Sequence, residues 1–295
     1  MELFNKAVRE LVDPAREPEK VADGFVFTEG PAWNFSEQHL TFVDLAGNAM
    51  YRWDARRGVQ TYRDPSGFAN GLTYDREGRL LSCEHRARRI TRETPDGLET
   101  LVDSYQAKKL NAPNDLVVAD DGSIIFTDPH YGLMEGYGGP AEQELAFKGV
   151  YRFPPGANEP DLLVDDLDGP NGLALSPDEK TLLVADSEHN HIRKFAVSED
   201  WKLAGGQILV EITSDGDGVT DGFKLDRHGN IFSTGPGGIW ICSPEGDILG
   251  FLKMRDVAAN LAWGGDDART LFITASTEVY RLSCETTGHV PYLQH

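Results

Sequence analysis

The chain has 295 residues, of which 40% are apolar and 26% charged, and its net charge is −20. This composition is ordinary for a globular protein with a sizeable core. The acidic excess repels phosphate backbones, which argues against nucleic acid as a partner, and it raises the local concentration of cations. The three cysteines have no zinc-site or redox-motif spacing, which predicts reduced thiols in a cytoplasmic protein.

Residues 1–20 are predicted to be an N-terminal extension outside the main fold. Apolar residues recur there at helical spacing, at Leu3, Ala7, Val8 and Leu11, which predicts a short amphipathic helix. Charged residues interrupt this apolar pattern. We therefore predict neither a signal peptide nor a membrane anchor, and no membrane partner.

From residue 21 to residue 295, one unit recurs six times. In each unit a turn rich in Asp, Gly and Asn separates two apolar strands, and a third strand follows. The first apolar residues after the turns lie 40 to 58 residues apart and are Leu40, Leu80, Ile124, Leu182, Ile231 and Leu271. Short strands in repeats of this length are typical of propeller blades. The sequence predicts an all-β protein, a single-domain six-bladed β-propeller, closed by pairing of Val21–Phe27 with the last blade.

The longest spacing, between the third and fourth units, indicates an insertion. Its first part, Tyr131–Lys148, is rich in glycine. Connections of this length in compact domains are commonly lids or binding loops. We therefore expect this insertion to border a binding site.

A side-chain oxygen occupies one equivalent position in every unit, ten or eleven residues before the marker. The six residues are Glu29, Asn70, Asn114, Asn171, Asp221 and Asn260. Turn propensity explains an Asn-Gly or Asp-Gly pair in a single unit, but not Glu29 or the shared register. Because inner strands line the channel, we expect all six side chains at one mouth. Oxygen ligands suit a hard cation, and Glu29 and Asp221 would together balance a divalent one.

Strand alternation brings further residues to the same mouth. The second strand of each blade returns to it, which places His85, His130, Tyr131 and Asp186 there. We predict substrate contacts for the first three, although either histidine could instead be a surface or packing residue. The arginines at 86, 88 and 89 are expected to form a solvated face, although one of them could reach an acidic substrate.

These motifs resemble the gluconolactonase and regucalcin (senescence marker protein) family of metal-dependent lactonases. The resemblance rests on residues 29–33, 113–115, 126–129, 169–178, 221–223 and 260–264. It implies a six-bladed propeller with one divalent ion, Ca²⁺ foremost, with Mg²⁺, Mn²⁺ or Zn²⁺ as alternatives. It also implies that Glu29, Asn171 and Asp221 are metal ligands and that Asn114 is a ligand or a substrate contact. Asn70 and Asn260 would contact substrate or support the ligands.

One departure from the family pattern bears on the substrate. The regucalcin branch has an arginine where this chain has Ala112, two residues before Asn114. The sugar-acid contact of that branch is therefore missing here. This favours the bacterial gluconolactonase-like branch.

The leading functional hypothesis is a metal-dependent hydrolase that opens a small sugar lactone. In this hypothesis the metal polarises the carbonyl and water attacks, activated by Asp221 or by the metal. One alternative is a phosphotriesterase on the same site, with Asp221 as nucleophile. A second alternative is a propeller that binds a ligand without turnover.

Overall fold

The computed structural model describes residues 1–293; Gln294 and His295, the end of the predicted propeller range, lie outside the described residues. The helical segments of the described chain are two 3₁₀ helices, Lys6–Glu10 and Tyr131–Leu133. No helix within residues 1–293 is long and apolar enough to cross a bilayer. The strands are β1 (Glu2–Leu3), β2 (Glu19–Asp23), β3 (Thr28–Asn34), β4 (His39–Asp44), β5 (Ala49–Asp54), β6 (Gly58–Arg63), β7 (Ala69–Tyr74), β8 (Leu80–Glu84), β9 (Arg89–Thr94), β10 (Gly97–Val102), β11 (Ser104–Tyr105), β12 (Lys108–Lys109), β13 (Leu116–Val118), β14 (Ile124–Asp128), β15 (Gly149–Phe153), β16 (Asp161–Val164), β17 (Pro170–Leu175), β18 (Thr181–Asp186), β19 (His191–Val197), β20 (Leu203–Glu211), β21 (Phe223–Leu225), β22 (Ile231–Gly235), β23 (Gly238–Cys242), β24 (Ile248–Lys253), β25 (Ala258–Gly264), β26 (Thr270–Ala275) and β27 (Glu278–Ser283).

These strands form antiparallel sheets that confirm the predicted six-bladed propeller. In the described chain the blades are β3–β6, β7–β10, β13–β16, β17–β20, β21–β24 with β1 at the edge, and β25–β27 with β2. Each predicted marker residue lies within one position of the start of the second strand of its blade. The hairpin of β11 and β12 lies between the second and third blades in the chain.

The turns before these second strands are closed by short polar side chains. Asp75 Oδ1 accepts hydrogen bonds from the backbone N–H groups of Glu77 and Arg79, and Asp226 repeats this pattern in the fifth blade. Such side chains satisfy backbone groups that a tight turn leaves unpaired. The Asp and Asn residues of the repeat therefore serve the hairpins.

The apolar core lies between the blades. Within residues 1–293 the buried apolar side chains form six clusters, and each cluster joins two blades that are adjacent around the ring. The cluster of the last and first blades, for example, stacks Trp33 on Phe272 with ring centroids 4.9 Å apart. A blade buries its faces only against its neighbours, which is why the repeats fold as one unit.

The ring is closed by an N-terminal strand, as predicted. Strand β2 pairs with β27, with Lys20 opposite Tyr280 and Ala22 opposite Val279. The paired segment begins two residues earlier and ends four residues sooner than the predicted Val21–Phe27. The last blade is therefore built from both ends of the chain.

The N-terminal helix is shorter than predicted and is packed against the propeller. It is a single 3₁₀ helix, preceded by strand β1, which pairs with β24 at the edge of the fifth blade. Val8 and Val12 are fully buried against the fifth and sixth blades. The apolar spacing of this segment therefore reflects contact with the blades.

The channel end opposite the predicted site is filled by the C-terminal tail. Inner-strand residues two to four positions beyond the predicted oxygen ring line a cavity of only about 50 Å³, together with residues 289–292. Tyr292 donates a hydrogen bond to the carbonyl oxygen of Trp33 (2.8 Å), and the backbone N–H of His289 donates to that of Leu225 (2.9 Å). The tail is thus fastened to the first and fifth blades.

Candidate active site

The inner strands leave their regular pairing at the oxygen ring. The register shifts between Glu29 and Ala32 in the first blade, and equivalent shifts flank Asn70, Asn171 and Asn260. In the third and fifth blades the inner strand begins only after the ring residue. Irregularities of this kind re-aim side chains at functional sites.

Glycines that follow the ring residues bring neighbouring blades into close contact. A Cβ atom added at these glycines would overlap the next blade, which excludes any larger residue there. The added Cβ would lie only 1.9 Å from the Asn70 carbonyl oxygen at Gly30, 2.4 Å from the Asn114 carbonyl oxygen at Gly71, 2.3 Å from the Asp221 carbonyl oxygen at Gly172 and 2.1 Å from Asn260 Oδ1 at Gly222. Glycine at these positions therefore allows neighbouring blades to approach each other closely at the oxygen ring.

One cavity of about 450 Å³ lies at this mouth of the channel. The sequence-predicted residues that line it are Glu29, Asn70, His85, Asn114, Tyr131, Asn171 and Asp221. The other lining residues are Phe27, Leu45, Met134, Tyr137, Ser187, Glu188, Asn190 and Val219. Asn260 and His130 lie outside the lining. The structure thus brings together side chains separated by almost 200 residues of sequence.

Two acidic side chains of the predicted oxygen ring share this cavity, and Glu188 lies at its exposed edge. Glu29 is 4% exposed, and its Oε2 accepts a hydrogen bond from the Gly30 backbone N–H (2.7 Å). Burial, reinforced by the charge of Asp115, raises the pKa of Glu29 to about 7. Burial and then the charge of Glu29 raise the pKa of Asp221 well above its ordinary value. Asp221 is partly exposed toward the cavity, but protein atoms enclose its carboxylate.

Carboxamide oxygens complete the polar lining. Asn171 Nδ2 donates to Ser187 Oγ (3.0 Å), which in turn donates to the Thr220 carbonyl oxygen (2.7 Å). This chain fixes the amide so that Oδ1 is the free end, and that buried oxygen has no hydrogen-bond partner among the described residues. The same holds for Asn70 Oδ1. Buried oxygens without donors, beside two carboxylates, match the ligand preference of a hard divalent cation.

No group of three or more His, Cys, Asp or Glu side chains within residues 1–293 is arranged to hold a metal ion. A cation at this mouth therefore has to use carboxamide oxygens as well as carboxylates. Glu29, Asn114, Asn171 and Asp221 supply such a mixed set from four different blades.

His85 lines the cavity and has one ring nitrogen without a hydrogen-bond partner in residues 1–293. Its Nδ1 lies 2.8 Å from the Tyr137 carbonyl oxygen, and because a carbonyl only accepts, Nδ1 carries the proton. Nε2 is buried and has no hydrogen-bond partner among the described residues. Burial lowers the pKa of His85 to about 4, so the ring is neutral at ordinary pH.

The insertion lies within the third blade, between β14 and β15, and forms one wall of the cavity. Tyr131, Met134 and Tyr137 line it, and the Tyr131 hydroxyl donates to Glu188 Oε1 (3.1 Å). The His130 ring lies 4.8 Å from the Tyr131 ring, between centroids, but does not line the cavity. The predicted border of a binding site is thus formed by the residues after His130.

Arg88 holds this insertion in place. Its guanidinium is buried, donates to the carbonyl oxygens of Leu110 (2.6 Å) and Asn111 (3.0 Å), and forms an ion pair with Glu144 (3.3 Å). The expectation of a solvated arginine face is therefore wrong at this position. Arg86, by contrast, is exposed.

Asp186 has a structural position rather than one in the cavity. Its carboxylate accepts hydrogen bonds from the backbone N–H groups of Asp168 (3.0 Å) and Gly169 (2.8 Å). Asp44 binds the backbone N–H groups of Val26 and Phe27 in the same way. These aspartates fix the segment that leads into the inner strand of their own blade.

Beneath the cavity, the structure reveals a lysine that the sequence analysis missed. Lys224 Nζ lies 3.4 Å from Asn260 Oδ1 and 3.6 Å from Asp115 Oδ2. Asn260 Oδ1 also accepts from the Leu261 backbone N–H (2.8 Å), which turns this ring position inward. The signal was available, since Lys224 follows Asp221 by three positions on an inner strand and Asp115 directly follows Asn114.

Fold and site together define a class of protein. It is a six-bladed propeller with one axial small-molecule site, in which a few polar groups converge in a concave pocket. A family model described as "SMP-30/Gluconolactonase/LRE-like region" matches residues 27–277. The chain belongs to this family, and the predicted assignment as a lactonase is confirmed.

Individual relatives agree with the family. The chain is 32% identical to a gluconolactonase of Zymomonas mobilis, over 97% of this chain and 86% of that protein. It is 36% identical to the solved structure of a gluconolactonase from Xanthomonas campestris, with a TM-score of 0.90 and coverage of 96% and 94%. A calcium-binding regucalcin from Agrobacterium tumefaciens, at 15% identity, a TM-score of 0.75 and coverage of 92% and 95%, shares the fold.

Proposed function

We propose that this lactonase hydrolyses a sugar lactone in the axial cavity with the help of one divalent cation, Ca²⁺ in the first place. The observation that carries the proposal is that Glu29, Asn114, Asn171 and Asp221, from four blades, line a single cavity. The Zymomonas and Xanthomonas relatives are both named gluconolactonases, which supports glucono-1,5-lactone as substrate.

The residues fit the cation through their chemistry. Glu29 and Asp221 provide two negative charges in a buried setting, where like charges without a counter-charge are costly. Asn171 Oδ1 is directed away from its own hydrogen-bond partner Ser187, and Asn114 lines the same cavity. The calcium named for the regucalcin relative supports Ca²⁺ as the first ion to test.

When bound, the cation would polarise the lactone carbonyl and stabilise the negative charge that develops on its oxygen. Asp221 accepts a proton from the water that attacks the carbonyl carbon, because its carboxylate lines the cavity in which the lactone binds. The ring C–O bond then breaks, the departing oxygen takes up a proton, and a hydroxy acid is released.

The remaining lining residues bind the substrate hydroxyls. His85 Nε2 accepts from a hydroxyl, because its Nδ1 is held as the donor by Tyr137. The carboxamides of Asn70 and Asn114 orient the ring, and Tyr131 closes one side while bonded to Glu188. A lactone with several hydroxyl groups therefore makes more hydrogen bonds to these side chains than a lactone without hydroxyl groups does.

The three free cysteines support a cytoplasmic enzyme. Cys83, Cys242 and Cys284 are all buried and unpaired within the described chain. Reduced, buried thiols are typical of proteins in a reducing compartment.

Chelation tests the proposal directly. Purified enzyme is treated with EDTA, desalted, and assayed on glucono-1,5-lactone before and after addition of Ca²⁺, Mg²⁺, Mn²⁺ or Zn²⁺, with a phosphotriester as a second substrate. We expect activity on the lactone to be lost and then restored by a divalent ion. Full activity of the metal-free enzyme would end the proposal, and turnover of only the phosphotriester would change its substrate class.

The variant Asp221→Asn tests the assigned base. It keeps the size of the side chain but removes its charge, and we expect a loss of kcat of at least about 100-fold, the lower range for a removed general base. Asp128→Asn is the matched control, because Asp128 is a buried carboxylate that does not line the cavity. Equal activities of the two variants would refute the role of Asp221.

A further inference from the structure

The acidic side chains at and beneath the cavity have no lysine or arginine among the described residues that line it. Glu29 and Asp221 line the cavity, and Asp115 directly follows Asn114, another lining residue, so three carboxylates belong to this part of the channel. Glu29 and Asp115 are 4% and 2% exposed. Buried charges of one sign need compensation close by.

Lys224 is the cation that faces this group. Its ammonium lies 3.6 Å from Asp115 Oδ2 and 3.4 Å from Asn260 Oδ1, and it also donates to the carbonyl oxygen of Phe223 (3.1 Å). Asp115 Oδ2 has no hydrogen-bond partner among the described residues, so its compensation comes from this ion pair. The charge of Lys224 acts on Glu29 and Asp221 in the opposite direction to burial and lowers the pKa of both.

The lysine stem extends along the apolar part of the channel. Lys224 lines the small far cavity together with Leu72, Leu116, Leu173 and the tail residues. A lysine that only filled this space would be replaceable by methionine, which is similar in length and apolar. The ammonium is therefore the part of the side chain whose function needs an explanation.

We propose that Lys224 neutralises Asp115 and thereby sets the net charge of the oxygen ring, counted together with Asp115 and Lys224, at −2. This charge count selects a divalent cation over a trivalent one. The inference rests on the proposed function, since it assumes a cation at Glu29 and Asp221. Three carboxylates and one ammonium leave two negative charges, which one divalent ion cancels. Without the ammonium the ring would carry three negative charges, which match a trivalent ion.

Four variants of the full chain separate the charges. Lys224→Met gives a ring charge of −3, Asp115→Asn gives −1, and the double variant returns to −2. Lys224→Arg is the matched control, because it keeps the positive charge. Affinities for Ca²⁺ and Tb³⁺ are measured by isothermal titration calorimetry on metal-stripped protein at pH 8. Circular dichroism melting shows whether each variant is folded.

The expected order of Ca²⁺ affinity is Lys224→Met above wild type, wild type close to the double variant, and Asp115→Asn lowest. A trivalent ion senses each added charge half as strongly again as a divalent one does. The ratio of Tb³⁺ to Ca²⁺ affinity should therefore rise at least about tenfold in Lys224→Met and fall in Asp115→Asn. Lys224→Arg should keep the wild-type ratio.

The outcomes distinguish the two proposals. If the wild-type protein binds neither ion, the proposed function fails and this inference falls with it. If the wild type binds Ca²⁺ but the affinity ratio is the same in all variants, only the role of Lys224 is refuted. Should Lys224→Met not fold, Asp115→Asn still decides, because an unchanged ratio in that variant overturns the charge count.

Discussion

The buried Glu29 carboxylate makes the stability of the metal-free protein depend on pH. Burial raises its pKa from an ordinary 4.5 to about 7. Between these values the folded state binds a proton more tightly than the unfolded state, so stability falls as pH rises. One pKa unit corresponds to about 1.4 kcal/mol, so the loss attributable to Glu29 reaches about 3 kcal/mol above pH 7.

Glu29→Gln removes this titration while its side-chain oxygen can still accept from the Gly30 backbone N–H. Free energies of unfolding are measured by urea denaturation from pH 4.5 to pH 8 in the presence of EDTA. We expect wild type and variant to be similar at pH 4.5, and the variant to be more stable by about 3 kcal/mol at pH 8. Parallel pH profiles of the two proteins would refute the reasoning.

Addition of Ca²⁺ should reverse the order at pH 8. Binding to the folded state alone stabilises it by mass action, and Glu29→Gln lacks one of the proposed ligands. The matched control is Asp128→Asn, because burial also raises the pKa of Asp128 to about 7 while Asp128 lies outside the cavity. This control should lose part of the pH dependence but keep the stabilisation by Ca²⁺. If the control also lost the stabilisation by Ca²⁺, the effect of Glu29→Gln could not be attributed to cation binding in the cavity.

Two further predictions concern substrate hydroxyls and ring geometry. His85→Phe should lower kcat/KM for glucono-1,5-lactone about tenfold, the value of roughly one hydrogen bond, with little change for δ-valerolactone, which has no hydroxyls; equal losses on both would exclude hydroxyl binding by His85. Gly172→Ala should lower both the melting temperature and the Ca²⁺ affinity, because its Cβ would lie 2.3 Å from the Asp221 carbonyl oxygen. A melting temperature and a Ca²⁺ affinity equal to those of the wild type would contradict the packing argument.

The repeat made the fold and the ring positions predictable from sequence. Tight turns at regular spacing fix the start of each second strand, and a common register then fixes which residue enters each inner strand. The same logic placed His85 and Tyr131 at the mouth correctly. Local chemistry and periodicity were sufficient because every blade repeats the same geometry.

Features that depend on single long-range contacts were not predictable in this way. Arg88 is buried because it donates hydrogen bonds to the carbonyl oxygens of Leu110 and Asn111. These acceptors lie more than twenty residues away in the sequence, so the residues around Arg88 do not indicate them. Asn260 occupies the ring register but is turned inward by Lys224. The pairing of β1 with β24 likewise joins Glu2 and Leu3 to residues about 250 positions away in the sequence.

The C-terminal tail has a kinetic consequence. Residues 289–292 occupy the far end of the channel, where about 50 Å³ remains. Among the described residues, the candidate site is therefore open to solvent only at the opposite mouth of the channel. Reactant and product must pass through it in turn. A newly formed sugar acid is negatively charged and its precursor is neutral, so the net charge of −20 on the chain repels the product but not the reactant.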